Sequence, residues 1–386
     1  MTRLRFLTAG ESHGQALVGI LEGLPAGVPI TTEAVAAELT RRRHGYGRGP
    51  RMKIEQDACE IVAGVRGGLT LGSPVGVVIR NSEWEKWAHV MPVEGEPGGR
   101  ALTRPRPGHA DLPGMLKYGF TDARNVLERA SARETAARVA LGTFAKALLR
   151  ALEVDVVSHV VAIGAARVAD GAARPGPDDV ERIDASPVRC ADTAVEAAMV
   201  AEIEGAAADG DSLGGVVEVL AFGLPPGLGS HVHWDRKLDG RLGGALMAVP
   251  AIKGVEIGDG FAVAGKRGSR AHDEIEPDLS RATDRAGGTE GGMTIGGTLR
   301  ARAAMKPLST LKKRLRSVDL TTGEPVEAFQ ERTDVCAVPA AGVVCEHVVA
   351  FVLADAFLEM FGGDTLEDLR AAVDRYRSRV AARGPG

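Results

Sequence analysis

Cysteine is scarce in this chain, and the four that occur, Cys59, Cys190, Cys336 and Cys345, stand far apart. No pair has the spacing of a zinc site or of a disulfide framework, so four inert thiols in a reducing compartment are expected. Aromatic residues are also few, at 4%. There is no basic excess: 47 Lys and Arg stand against 51 Asp and Glu, a net charge of −4. A general nucleic-acid binder would carry the opposite balance. No apolar run reaches the roughly 18–20 residues that span a bilayer, and the apolar part of MTRLRFLTAG is too short for a signal peptide. The chain is therefore expected in the cytoplasm, with neither membrane nor nucleic acid as a partner. A catalytic triad, a metal-ligand pair, a P-loop and a glycine fingerprint opening a helix are missing too, and no metal is expected.

What the chain does have is glycine, 50 residues of it, and arginine gathered in clusters. Glycine scattered among apolar segments marks tight turns and close backbone approaches. The stretch Arg104–Arg138, RPRPGHADLPGMLKYGFTDARNVLERASARETAAR, organises the rest. Its first half is a Pro- and Gly-punctuated loop carrying His109 and Asp111. Its second half reads as a helix entry, with Ser131 and Glu134 at capping-box spacing. Arg129 and Arg133, four apart, are expected on one helical face. Arginine forks bind phosphate or carboxylate bidentately, and a helix N-terminus adds N–H donors. A second basic segment, residues 41–53, intersperses Arg41, Arg42, Arg43, Arg48, Arg51 and Lys53 with glycines and has no acidic residue of its own. It suits a loop closing over a polyanion, and it also suits RNA. Its single aromatic, Tyr46, and the acidity of the chain speak against RNA.

Taken in order, LRFLTAG is a strand that delivers the loop GESHG, with His13 between small residues. A strand and turn, GLPAG, and a helix capped at Thr31 or Thr32 follow. DACEIVAGVRGG and SPVGVVIRN pair as strands. Trp84 and Trp87 fall in a polar connection that suggests no role for them. The helix from Ser131 is apolar enough to be a core helix, and a strand follows it at DVVSHVVAIGAARV. Beyond a second helix, SLGGVVEVLAFGLPPGLG echoes GQALVGILEGLPAGVP half a chain earlier, which suggests two related halves. A long polar, Gly-dense run begins at Gly265 and reads as structureless. This run and the 41–53 loop are expected to be mobile when empty and to order over ligand. AAMKPLSTL ends a strand with hydroxyls suited to phosphate, Arg332 and Asp334 stand two apart, and two helices close the chain.

These features suggest anion binding with proton transfer by His13, His109 or Asp334, and a small phosphorylated, carboxylated substrate. Nine motifs in order, GESHGQAL, GYGRGPRMKIEQD, RPRPGHADLPGMLKYG, RASARETAARVALG, DGDSLGG, IKGVEIGDG, AGGTEGGMTIGG, AAMKPLSTL and RTDVCAVP, resemble the chorismate synthase family over nearly the whole chain. The resemblance implies an α+β fold, a β-α-β sandwich with core helices between two mainly antiparallel sheets. It implies a single domain over 1–386, with halves at roughly 1–150 and 200–350 and a C-terminal helical segment. It also implies a carbon–oxygen lyase that eliminates phosphate, 1,4 and anti, from 5-enolpyruvylshikimate 3-phosphate in the shikimate pathway to aromatic amino acids. Reduced FMN would be the cofactor, NADPH a possible source of its electrons, and the assembly a homotetramer.

By the same resemblance His13 would act toward the flavin, His109 toward the leaving phosphate, and Asp334 as a proton relay. Flavin contacts would come from Arg129, Ala130, Ser131, Pro250, Ala251, Gly291, Lys306, Pro307, Leu308, Ser309, Thr310 and Arg332. Arg42, Arg48 and Arg133 would bind substrate or NADP. Three positions depart from the family pattern. Ala130 replaces a common Ser, Pro250 a Gln or Asn, and Asp284 an Asn, the last placing a negative charge near an anionic substrate.

Overall fold

The structure is a computed structural model that describes residues 4–49, 57–331 and 333–383. Alternating apolar residues build the first sheet from β1 (Arg5–Ala9), β2 (Ala16–Glu22), β3 (Cys59–Ala63) and β4 (Val75–Arg80), in the order β1-β2-β4-β3. Leu17 and Leu21 of β2 and Val75, Val77 and Ile79 of β4 face inward, while Val18 and Ile20 face out. The second sheet holds β5 (Asp155–Ile163), β6 (Ala166–Arg167), β7 (Gly215–Phe222), β8 (Ile252–Ile257) and β9 (Leu299–Met305), in the order β8-β9-β7-β5-β6. Every strand pair in both sheets is antiparallel.

The larger helices are α1 (Thr32–Arg43), α2 (Thr135–Ala151), α3 (Thr193–Ala208), α4 (Leu238–Met247), α5 (Val338–Phe361) and α6 (Leu366–Ala381). α2 lies on the first sheet, α5 on the second, and the two pack against each other with α1 alongside. The result is the expected β-α-β sandwich, with one apolar core running through all three layers. The two central helices approach closely at Gly142, where a Cβ would come within 2.6 Å of His347 Cβ.

Several expectations need correction. α5 is 24 residues long with a hydropathy of 1.8, so a run long and apolar enough to cross a bilayer does exist. It is a core helix: 94% of that window is buried inside the fold, and buried Glu346, His347 and Asp355 interrupt it. The VVEVLAF strand is β7, paired on both sides and buried through its middle. The run from Gly265 is not structureless. It contains the short helix Gly268–Ala271 and the hairpin Thr289–Glu290/Met293–Thr294. Asp273 organises it by accepting from Thr283 and from the Arg285 and Ala286 N–H groups.

The GLPAG and GLPPG turns share a clasp that the sequence echo did not reveal. Thr70 Oγ1 donates to Pro25 O at 2.6 Å and accepts from Val28 N–H at 2.9 Å. Thr294 Oγ1 does the same with Pro225 O at 2.6 Å and Leu228 N–H at 2.9 Å. The clasping segments also match, GGLTLG at 67–72 and GGMTIG at 291–296.

Candidate active site

A cavity of about 500 Å³ opens where the N-termini of α2 and α5 meet the end of β9. Free N–H groups and the helix dipoles there favour anions. Fourteen residues proposed from the sequence line it, and most do so from loops that end rigid elements: His13, Arg42, Arg48, His109, Ala130, Ser131, Arg133, Pro250, Ala251, Lys306, Leu308, Ser309, Thr310 and Asp334. Pro307 lies between two lining residues without being one of them. Arg332, like Arg51 and Lys53, lies outside the described residues.

Two proposed contacts point elsewhere. Arg129 is on no common helical face with Arg133, because the helix begins only after Ser131, with a 3₁₀ turn at Ala132–Glu134. Its guanidinium clasps the end of β1, donating to Thr8 O at 2.8 Å and Thr8 Oγ1 at 2.7 Å. Gly291 sits in the tip of the 289–294 hairpin, outside the cavity lining. The capping box is half formed. Ser131 Oγ accepts from Arg133 N–H, but Glu134 turns to Thr8 and Arg138.

Each of the four cavity arginines, Arg42, Arg48, Arg106 and Arg133, is braced by a carboxylate. Arg42 and Arg133 share buried Asp57, Arg42 Nη1 at 3.1 Å from Oδ2 and Arg133 Nη1 in contact with Oδ1. Asp57 reaches both from a left-handed backbone, φ 50°. Arg48 Nε lies 3.3 Å from Asp334 Oδ2, and Gly49 N–H donates to Asp334 Oδ1 at 2.6 Å. Arg106, missed from the sequence, lines the cavity and donates to Asp111 Oδ2 at 2.8 Å and to Thr310 Oγ1 at 2.9 Å. The basic segment therefore does have counter-ions, contributed by distant parts of the chain. Its Arg41 pairs with Asp184 and Glu346, as well as with Glu38 one turn earlier in α1. Gly47 O accepts from Val335 N–H at 2.8 Å, so residues 44–49 are tied to the segment that carries Asp334.

Both histidines have a carboxylate at Nδ1. His109 Nδ1 lies 2.5 Å from Asp111 Oδ1. Burial alone would raise the Asp111 carboxyl, but His109 and Arg106 outweigh it and hold it well below the usual range. His13 Nδ1 lies 3.0 Å from both oxygens of Glu128. Trp87 stacks on the His13 ring with centroids 3.9 Å apart. Glu128 and Trp87 had no visible signal in the sequence, since only the folded chain brings them to the GESHG loop.

Asp284 does not approach the cavity. It pairs with Arg174 at 3.6 Å and Arg300 at 3.5 Å beyond the outer face of the second sheet, so its charge does not oppose an anionic substrate. Burial, outweighing those arginines, raises its carboxyl. The Glu38, Glu346 and His347 ligand atoms fall within 4.8 Å of one another. Lys146 Nζ contacts both carboxylates there and supplies the cation itself.

Leu127, Val249, Ala340, Ala341 and Val344 form an apolar wall, while Lys306, Ser309 and Thr310 form a polar ledge. That combination fits a flat ring with an anionic tail. Fold and cavity together define a β-α-β enzyme suited to a small polyanion lying beside an aromatic cofactor, with histidines at hand for proton transfer. The chorismate synthase family model matches residues 4–358. A chorismate synthase of Frankia alni is 62% identical, over 97% of this chain and 98% of its own. One of Streptomyces coelicolor is 61% identical, over 99% and 100%. A crystal structure of chorismate synthase superposes with a TM-score of 0.80 at 40% identity, over 99% of this chain. The chain belongs to the chorismate synthase family. It is a lyase of the shikimate pathway that converts 5-enolpyruvylshikimate 3-phosphate to chorismate, in a family that uses reduced FMN.

Proposed function

We propose that the cavity residues divide the elimination among themselves as follows. The reaction breaks a C–O bond to phosphate and a C–H bond, and forms a double bond. Arg42, Arg48, Arg106 and Arg133 bind the phosphate and carboxylates of the substrate, each charge-assisted hydrogen bond contributing roughly 1.5–3 kcal/mol. His109, oriented by Asp111, gives its proton to the departing phosphate as charge develops there. Reduced FMN, when bound, supplies an electron-rich ring beside the allylic system. Lys306, Ser309 and Thr310 would hold its phosphate, and Ala130, Ser131, Pro250 and Ala251 would hold its ring. His13 holds a proton toward that ring, and Asp334 accepts the proton lost from carbon. The observation that carries this reading is the convergence of two carboxylate-braced histidines and four arginines on one cavity with an apolar wall.

The same reading takes the chain as two related halves in one domain, working in the cytoplasm as a homotetramer and relying on a separate flavin reductase. The exposed apolar face of the first sheet, with Leu7, Val18, Ile20 and Val62, is the surface we assign to subunit contact. Anaerobic phosphate release from 5-enolpyruvylshikimate 3-phosphate, with and without reduced FMN, tests the core of the proposal. Release that does not depend on reduced FMN would refute it.

A further inference from the structure

His13 is held more firmly than an ordinary loop histidine. Besides the two contacts from Nδ1, its backbone N–H donates to Glu128 Oε2 at 2.9 Å. Ser12 N–H donates to Glu128 O at 2.9 Å, and Asn81 Nδ2 donates to Ser12 O at 3.0 Å and Gly14 O at 3.1 Å, so the loop is pinned on both sides of the histidine. Glu128 is buried, and its Oε1 also accepts from Arg124 Nη1 at 3.0 Å. Burial alone would drive this carboxyl toward its neutral form, but His13 and Arg124 outweigh burial and keep it low. An ionised carboxylate only accepts hydrogen bonds, so Nδ1 keeps its proton on Glu128, and the proton that His13 takes up and delivers is the second one, on Nε2 of the imidazolium. The imidazole lies flat on Trp87, planes 27° apart, and the Arg124 guanidinium stands 5.3 Å from the Trp87 ring.

We propose that Glu128 is a positioning residue that fixes the tautomer and aim of His13, with Trp87 as the wall that keeps the ring in plane. This rests on the reading of His13 as a proton-transfer residue. A positioned imidazole delivers a proton without first searching for its orientation, which a histidine on a glycine-flanked loop would otherwise do. Glu128 and Trp87 thus act through His13, and need touch neither substrate nor flavin.

Glu128→Gln, His13→Ala and the double variant are compared by kcat and KM. Expected is a fall in kcat of about tenfold or more for Glu128→Gln, within the 10²–10⁴-fold available to general acid catalysis, with KM nearly unchanged. The double variant is expected to be no slower than His13→Ala alone. A second readout needs no flavin. With Trp84→Phe and Trp234→Phe leaving Trp87 as the sole tryptophan, Glu128→Gln should increase acrylamide quenching of its emission as the imidazole leaves the stack. Should Glu128→Gln fail to fold, Glu128→Asp, which draws the charge back by one methylene, carries the same expectations. Wild-type kcat in the Glu128 variant beside an impaired His13→Ala overturns the inference and leaves the reading standing. Wild-type kcat in His13→Ala overturns the reading itself.

Discussion

At the scale of single residues, the site works by bracing its two histidines and four arginines with carboxylates. His109→Ala removes a proton donor that Asp111 has already oriented. Turnover should fall by about 10²–10⁴-fold, with substrate affinity changed far less, as steady-state kinetics would show. Asp57 makes a different prediction. It holds Arg42 and Arg133 from a left-handed backbone that Asn tolerates, so Asp57→Asn keeps the shape and loses the charge. Stability should drop by about 1.5–3 kcal/mol, the worth of hydrogen bonds to a charged group, measured as a shift in the urea midpoint. These residues also show what was legible beforehand. His13, His109, Arg42, Arg48 and Arg133 announce themselves as polar groups on or beside glycine-rich loops, whereas Arg106 does not. Asp57, Glu128 and Trp87 do not, because their roles depend on contacts made only across the folded chain. Gly291 and Arg129 matched family motifs, yet neither is among the residues that line the cavity, a placement that the motif alone does not give.

At the scale of elements, the meeting of α2 and α5 sets the geometry of the cavity, since both helices open their N-termini into it. Their closeness depends on Gly142, where any side chain meets the His347 backbone and Cβ. Gly142→Leu should cost about 1–3 kcal/mol or more by overpacking and should lower activity by shifting the helix ends, which thermal denaturation and kcat would register together. The helices and most strands were legible as periodic apolar segments. The short elements inside the 265–292 run were not, because Asp273 and an Arg281–Glu290 fork build them from polar contacts that leave no apolar period.

At the scale of the whole molecule, pH and assembly are the levers. Burial would raise the Glu218 carboxyl, but His159 and Arg302 hold it down at about 2. In the unfolded chain it would titrate near the usual Glu value of about 4.3. Below that value the unfolded state takes up a proton that the folded state does not. The stabilisation from this group is therefore complete above about pH 4.3 and is lost as pH falls toward 2. Denaturation midpoints should decline over that window, and Glu218→Gln should flatten the decline. For assembly, Val18→Lys with Ile20→Lys charges the outer face of the first sheet without touching its inner face. Light scattering should then report a species smaller than the tetramer proposed above. An unchanged tetramer would place the contact elsewhere.

The carboxylates behind the cavity arginines have a consequence for life among ordinary metabolites. Cells are full of inorganic phosphate and simple carboxylates, and a pocket of bare cations would be clogged by them. Here a lone anion finds cations already partly neutralised and fixed in direction, so it gains little over water. A molecule with three anionic groups at the right separations engages several forks at once, and the gains multiply as linked binding events do. Inorganic phosphate should therefore be a weak competitor, and Asp111→Asn, which removes one of the two carboxylate charges beside Arg106, should make it a stronger one in inhibition assays.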